Sequence, residues 1–197
     1  MSRIYDRRQV LVGSVLLAGA VASPPVAQAA CASLRDRWPR EDELVGGNDR
    51  ELIMTTARAM MTKLGHAALV TIDNGCLPRV RSVATRDPDD DFTVWVLTHP
   101  VSRKVEQIRA RPEVALHYVD IDHMAQVTLM GLAGLHTDAA TLRAKNFYSE
   151  EQMAQYWPGF PDGYMMIAVR ALWLEISAPH TAIKGDRSRW RPAGLKL

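Results

Sequence analysis

One short stretch of the sequence gathers groups suited to holding an anion. Thr98-His99-Pro100-Val101-Ser102-Arg103-Lys104 reads as the end of a strand followed by a helix that opens at Ser102. The unpaired backbone N–H groups of a first helical turn, with the positive end of the helix dipole, form an anion site. Arg103 and Lys104 fall in that turn, where cations oppose the dipole. A bound phosphate reverses that cost through charge-assisted hydrogen bonds. Thr98 and Ser102 add hydroxyl donors. The same residues also fit an ordinary Ser cap followed by solvated basic side chains.

The strand before this corner supplies more cations. Arg79, Arg81 and Thr85 share one strand face, and Arg86 falls at the following turn. A period of two sets Arg79 and Arg81 close enough to converge on one anion, although a solvent-facing row of arginines has the same spacing. His99 stands at the mouth of the corner or on the surface. His117, Asp120, Asp122 and His123 have a metal-like composition, but they read more simply as a polar turn between strands. No Cys/His pair has zinc-ligand spacing, and neither H-E-x-x-H nor G-x-G-x-x-G occurs. No metal site is therefore expected. No side chain stands out as a general acid or base, and no catalytic residue is assigned.

The elements that position these groups follow from the hydrophobic pattern. Asn48-Asp49-Arg50-Glu51 predicts a capped helix start with Asn48 as the cap. Leu52, Ile53, Ala57, Met60, Met61 and Leu64 make one apolar face, and Gly65 closes the helix. Strands are predicted at 66–72, about 77–85 and 92–98, with Asp73-Asn74-Gly75 as the strongest hairpin signal. A helix over 102–110 ends before Arg111-Pro112. Strands follow at 113–119, 125–136 and 164–177. Two short helices, led by Asp138 and by Ser149, precede the last strand, and the tail after Pro179 reads as basic and rich in turns. Trp95 and Trp173 are expected to pack the barrel. The first three strands have no crossover helix between them, which favours an antiparallel sheet or barrel over a Rossmann fold.

Residues 1–29 read as an export signal. Arg7-Arg8 precede the apolar run 10–22, which is shorter than the ~20 residues a membrane span needs, and Ala27-Gln28-Ala29 fits a cleavage site. Asp6-Arg7-Arg8-Gln9-Val10-Leu11 resembles the twin-arginine signal, so the protein is expected to be periplasmic or secreted, without a stable membrane span. Residues 30–47 read as a linker and 48–197 as one domain. Cys31 and Cys76 allow a disulfide in an oxidising compartment, and two unpaired thiols fit equally well. The 24 basic and 22 acidic residues give a net charge of +2, which leaves no cationic excess for a general nucleic-acid partner. Apolar residues at 47% and charged residues at 23% describe a chain that buries a real core.

With these residues in place, the chain resembles the pyridoxamine 5′-phosphate oxidase-like family, specifically its general stress protein-like branch. The resemblance rests on Thr98 with Ser102-Arg103-Lys104, on Arg81 with Arg86 five residues later, and on Gln126 five residues before Gly131. It implies a six-stranded, mainly antiparallel split β-barrel with flanking helices that binds FMN. It also implies that Arg81, Arg86, Ser102, Arg103 and Lys104 hold the FMN phosphate, while Thr98 and Gln126 approach the ribityl chain or the ring. The implied assembly is a homodimer with FMN between subunits, working on a small-molecule substrate or electron donor. Tyr156-Trp157 then stand as a cover for the ring or as core. The true oxidase's C-terminal aromatic and Arg-x-His pair are missing from Glu175-Ile176-Ser177 and Pro179-His180-Thr181, which separates this chain from pyridoxamine phosphate oxidation. The resemblance implies an FMN-dependent oxidoreductase. A flavin or haem carrier or sensor on the same barrel is the competing reading.

Overall fold

The computed structural model describes residues 49–197. The predicted signal (1–29), the linker (30–47), Cys31 and Asn48 lie outside the described residues.

Helix α1 (Arg50–Leu64) is capped by Asp49, whose carboxylate accepts from the Glu51 N–H, so the cap falls one residue later than the predicted Asn48. Gly65 ends it in the left-handed region, at φ 62°. Ile53, Ala57, Met60 and Met61 are buried, as the spacing predicts.

Strands β1 (His66–Ile72) and β2 (Pro78–Ala84) form the predicted hairpin. The left-handed residue in its loop is Cys76, at φ 60°, and not Gly75. The Asp73 carboxylate causes this, because its Oδ1 accepts from both the Gly75 and Leu77 N–H groups at 2.9 Å and holds the longer loop closed.

Strand β3 (Thr93–Thr98) is buried at every residue, which an amphipathic strand would not be. One face, Val94 and Val96, joins the barrel core. The other, Trp95 and Leu97, meets a second cluster with Leu142, Met166, Tyr148 and Trp157. Trp95 therefore packs outside the barrel, while Trp173 is 3% exposed and donates its indole N–H to Glu175. Helix α2 (Arg103–Ala110) follows β3, and Val105 and Ile108 anchor it.

Strands β4 (Glu113–Asp120), β5 (Ala125–His136) and β6 (Met165–Ser177) complete the predicted set. Helices α3 (Ala139–Lys145) and α4 (Glu150–Tyr156) lie between β5 and β6. Both begin at the predicted residues, Asp138 and Ser149, and Ser149 with Gln152 forms a capping box.

All pairings between strands are antiparallel, in the order β2-β1-β4-β5-β6-β3. Past the end of β2, Arg86 N–H donates to Trp95 O and Asp89 N–H to Thr93 O, which brings the two outer edges together. The barrel interior is lined by Leu69, Leu116, Tyr118, Val127, Leu129, Ile167 and Val169. The β5–β6 register slips between Met130 and Gly131. A Cβ at Gly131 would collide with the Arg170 carbonyl, so this glycine is fixed by close backbone approach. A seventh strand, β7 (Ala193–Lys196), pairs with the C-terminal half of β6 where the sequence reads only as turns.

Candidate functional site

The β3–α2 corner is built by the predicted residues. Ser102 occupies the N-cap position, but its side chain makes no capping hydrogen bond. Its hydroxyl instead lies 3.3 Å from that of Thr98, so both point away from a purely structural cap. The ordinary Ser cap that the sequence left open is therefore not what forms.

Arg81 reaches this corner from β2, and its guanidinium is held entirely by neutral acceptors. Nη1 donates to Leu69 O at 3.1 Å and to Thr71 Oγ1 at 2.6 Å, and Nη2 donates to Gln107 Oε1 at 2.9 Å. Thr71 in turn donates to Gln107 Oε1 at 2.6 Å. A neutral clamp fixes direction while leaving the charge uncancelled.

Two cations of α2 feel that charge. Burial, then the Arg103 guanidinium, hold Arg81 below its ordinary pKa. Burial, then Arg81, hold Lys104 below its own. Among the described residues none of Arg81, Arg103 and Lys104 forms an ion pair. Three cations near one another without a carboxylate, beside two hydroxyls and a helix N-terminus, repel one another until an anion arrives. A phosphomonoester fits this donor set in charge and in hydrogen-bond type.

Other predicted residues go elsewhere. Arg79 does not converge with Arg81, because its guanidinium is held by the Asp73 carboxylate at 2.7 Å. Arg86 donates to Asp89 at 3.0 Å. Asp89 also accepts from Lys145 and from the Trp95 indole N–H, each at 2.7 Å. Burial opposes ionisation of Asp89, but the donated hydrogen bonds and the two cations prevail and keep its pKa low.

Gln126 is exposed and sits opposite Ser177 at the far end of β6, whereas Thr98 sits opposite Met165 at its start. Across the sheet Arg81 pairs with Leu69, Leu69 with Leu116 and Leu116 with Leu129, so Gln126 stands three residues along β5 from the row that carries Arg81. Among the described residues no hydrogen bond links Gln126 to Arg81, Thr98 or Ser102. Gln126 borders instead a cavity of about 420 Å³ beside the C-terminal segment.

His99 is exposed, with its ring edge-on to Tyr164 at 5.8 Å. Trp157 packs in the second cluster, and its indole N–H is buried without a partner. Tyr156 is exposed. His117 bonds Thr128, and His123 bonds Asp120, which also takes Lys63 at 2.9 Å. These residues form no metal cluster among the described residues.

Sequence reasoning missed Thr71 and Gln107. The signal was present: Thr71 follows Ala67 and Leu69 on the inward face of β1, and Gln107 lies between Val105 and Ile108 on α2. A polar side chain on a buried face needs a partner, and here the partner is an arginine.

Comparison with known proteins locates this arrangement. Residues 53–180 match the family profile described as pyridoxamine 5′-phosphate oxidase. No curated protein sequence matches the chain. Among solved structures, a protein from Clostridium acetobutylicum related to general stress protein 26 superposes with a TM-score of 0.61 at 16% identity, covering 76% of this chain and 97% of that one. General Stress Protein 26 from Bacillus anthracis gives 0.55 at 18%, covering 73% and 98%. A pyridoxamine 5′-phosphate oxidase-related, FMN-binding protein from Nostoc punctiforme gives 0.54 at 12%, covering 75% and 95%. At these identities the likeness establishes the shared fold. The profile runs through α1, the strands β1–β6 and the β3–α2 corner alike, and the chain belongs to the pyridoxamine 5′-phosphate oxidase family.

Proposed function

We propose that this protein is an FMN-dependent oxidoreductase acting on a small molecule or electron donor. The observation that carries the reading is the trio Arg81, Arg103 and Lys104, which has no ion pair among the described residues, beside a Ser102 hydroxyl that does not cap its helix. In this reading Arg81 and Lys104 hold the FMN phosphate directly, Arg103 supports the field, and Ser102 and Thr98 donate to phosphate or ribityl oxygens. Bound FMN supplies hydride or electron transfer, and the protein's part is to bind, orient and shield it. Arg86 takes no part, because Asp89 engages it.

A homodimer with the flavin between subunits, as the family resemblance implies, is part of this reading. No helix among the described residues is long and apolar enough to cross a membrane. The export reading rests on Arg7-Arg8 and the apolar run behind them.

The test is absorbance of the purified full chain, followed by titration of flavin-free protein with FMN. A flavin spectrum and saturable binding support the reading. Anaerobic reduction of the loaded protein by NAD(P)H or another donor supports an enzyme. A loaded protein that no donor reduces is a carrier, and one that shows a Soret band and takes no FMN overturns the flavin assignment.

A further inference from the structure

The aromatic cluster outside the barrel includes a segment that is fastened unlike the rest of the chain. Residues 147–157 contain helix α4, which buries none of its residues. Among the described residues, the hydrogen bonds of this segment run only within it and to the flanking Asn146 and Phe160. It enters no ion pair among them either. Ring packing ties it to the body. Tyr148, Met153 and Trp157 lie against the cluster of Trp95, Leu142 and Met166. Trp157 meets Tyr148 at 5.6 Å and Tyr164 at 5.5 Å. A segment with local hydrogen bonds and few buried apolar contacts opens at low cost.

Trp157 also works against the packing it provides. Its indole N–H is buried without an acceptor, and a buried donor that has lost its water opposes burial. The closed position therefore balances two terms at one residue: ring burial holds the segment down, and the orphaned N–H favours lifting it. Both ends of the segment suit a hinge. Asn146 ends α3 in extended backbone. After Trp157, Gly159 and Gly163 take the left-handed region at φ 84° and 80°, with nothing within 4 Å of a Cβ at either. The segment also borders the anion corner. Tyr164, on which Trp157 packs edge-on, meets the His99 ring at 5.8 Å, and His99 follows Thr98 in the chain.

We propose that residues 147–157 are a lid, hinged at Asn146 and at the 158–163 turn and latched by Trp157, that opens and closes beside the β3–α2 corner. The opening itself does not depend on the flavin reading. Control of entry to the corner by this lid does rest on that reading.

The experiment is amide hydrogen exchange of the full chain, followed by mass spectrometry. Peptides from 147–157 should exchange by local opening, faster than β5 and β6 and with little response to low urea. Trp157→Phe keeps an aromatic ring and removes the N–H, so exchange in this segment should slow about fivefold or more. Trp157→Ala removes the ring, so exchange there should quicken about tenfold or more. Wild-type exchange in β5 and β6 verifies that both variants fold. A general packing fault would drive the two variants in one direction, whereas a latch drives them apart. The proposal is overturned if 147–157 exchanges only together with the barrel strands, or if Trp157→Phe exchanges as fast as wild type or faster. Stopped-flow binding of FMN then separates the lid from the flavin reading. Trp157→Phe should slow association and dissociation by the same factor and leave Kd unchanged, because the lid limits both passages. FMN bound at wild-type rates by Trp157→Phe overturns the control of entry and leaves the flavin reading standing. Slowed exchange in a protein that takes up no FMN sinks the flavin reading and supports the lid.

Discussion

Two regions of this molecule gather cations around the ends of β2 and β3, and they resolve the charge in opposite ways. At the Asp89 knot, Arg86, Lys145 and the Trp95 indole N–H all end on one carboxylate, and Lys145 also lies 5.0 Å over the Trp95 ring. Arg58 fastens the same loop through the carbonyls of Pro88, Asp89 and Asp90. At the β3–α2 corner, Arg81 is held by a backbone carbonyl, a hydroxyl and an amide, and among the described residues neither Arg103 nor Lys104 has a carboxylate partner. The first arrangement is complete and serves the fold. The second leaves its cations without a carboxylate among the described residues, and in the proposed reading a bound anion would complete it. Residue type does not separate the two, since both use arginine and lysine. The kind of acceptor does.

The comparison is broken most directly by exchanging its halves. Arg81→Ala with Lys104→Ala removes two charge-assisted contacts of about 1.5–3 kcal/mol each, so FMN affinity should fall by a few kcal/mol in an equilibrium titration. Thermal stability should fall modestly, because Arg81→Ala removes the donor to Leu69 O, Thr71 Oγ1 and Gln107 Oε1 while relief of the cation repulsion offsets part of the loss. Unchanged FMN affinity would show that the phosphate sits elsewhere. Asp89→Ala should do the reverse. It strands two half-buried cations and the Trp95 N–H, and urea denaturation should record a loss of about 2 kcal/mol. FMN affinity of the folded protein should stay as in wild type. A large loss of FMN affinity in Asp89→Ala would return Arg86 to the binding site and dissolve the contrast.

Most of the fold was legible because its signals are local. The apolar face of α1, the alternation of β1 and β4, and the caps at Asp138 and Ser149 each depend on neighbours a few residues away. Strand β7 was not legible. It is Ala193-Gly194-Leu195-Lys196, and Gly194 is there because a Cβ would come within 2.6 Å of the Trp173 ring. A glycine demanded by a distant tryptophan reads in sequence as a turn. The site divides the same way. Thr98 and Ser102-Arg103-Lys104 lie on one continuous stretch and come together as the spacing predicts. Arg81 arrives from another strand, and what fixes it depends on Thr71 and Gln107, whose separation from it is set only by the tertiary fold. Arg86 shows what a matching position does not convey: Asp89, three residues on, pairs with it in the folded chain.

The neutral clamp can be converted into a knot by one atom-scale change. Gln107→Glu keeps the length and acceptor of the side chain but places a carboxylate 2.9 Å from Arg81 Nη2. Arg81 would then be neutralised from within. FMN affinity should fall about tenfold, the equivalent of one weakened charge-assisted bond, while stability holds or rises. Riboflavin, which lacks the phosphate, should bind wild type and variant alike. A purely structural fault would weaken both ligands together, so the split between FMN and riboflavin is the decisive reading.

The smallest expected effect is in the alkaline pH range and distinguishes the two regions without rearranging either. Burial and Arg81 hold the free Lys104 ammonium below its ordinary value of 10.5. A phosphate bound beside it stabilises the charged form and raises that pKa. FMN affinity is then constant while Lys104 is protonated in the free protein, and it declines as pH rises from the free pKa to the bound one. The decline should begin below pH 10.5 and amount to a few-fold, measured by FMN titration across a pH series at constant ionic strength. Lys104→Arg keeps a charge that does not titrate there and should flatten the curve. Lys145→Arg, in the Asp89 knot, should leave its shape unchanged. A decline that persists in Lys104→Arg would assign the titration to another group and deny Lys104 a place at the phosphate.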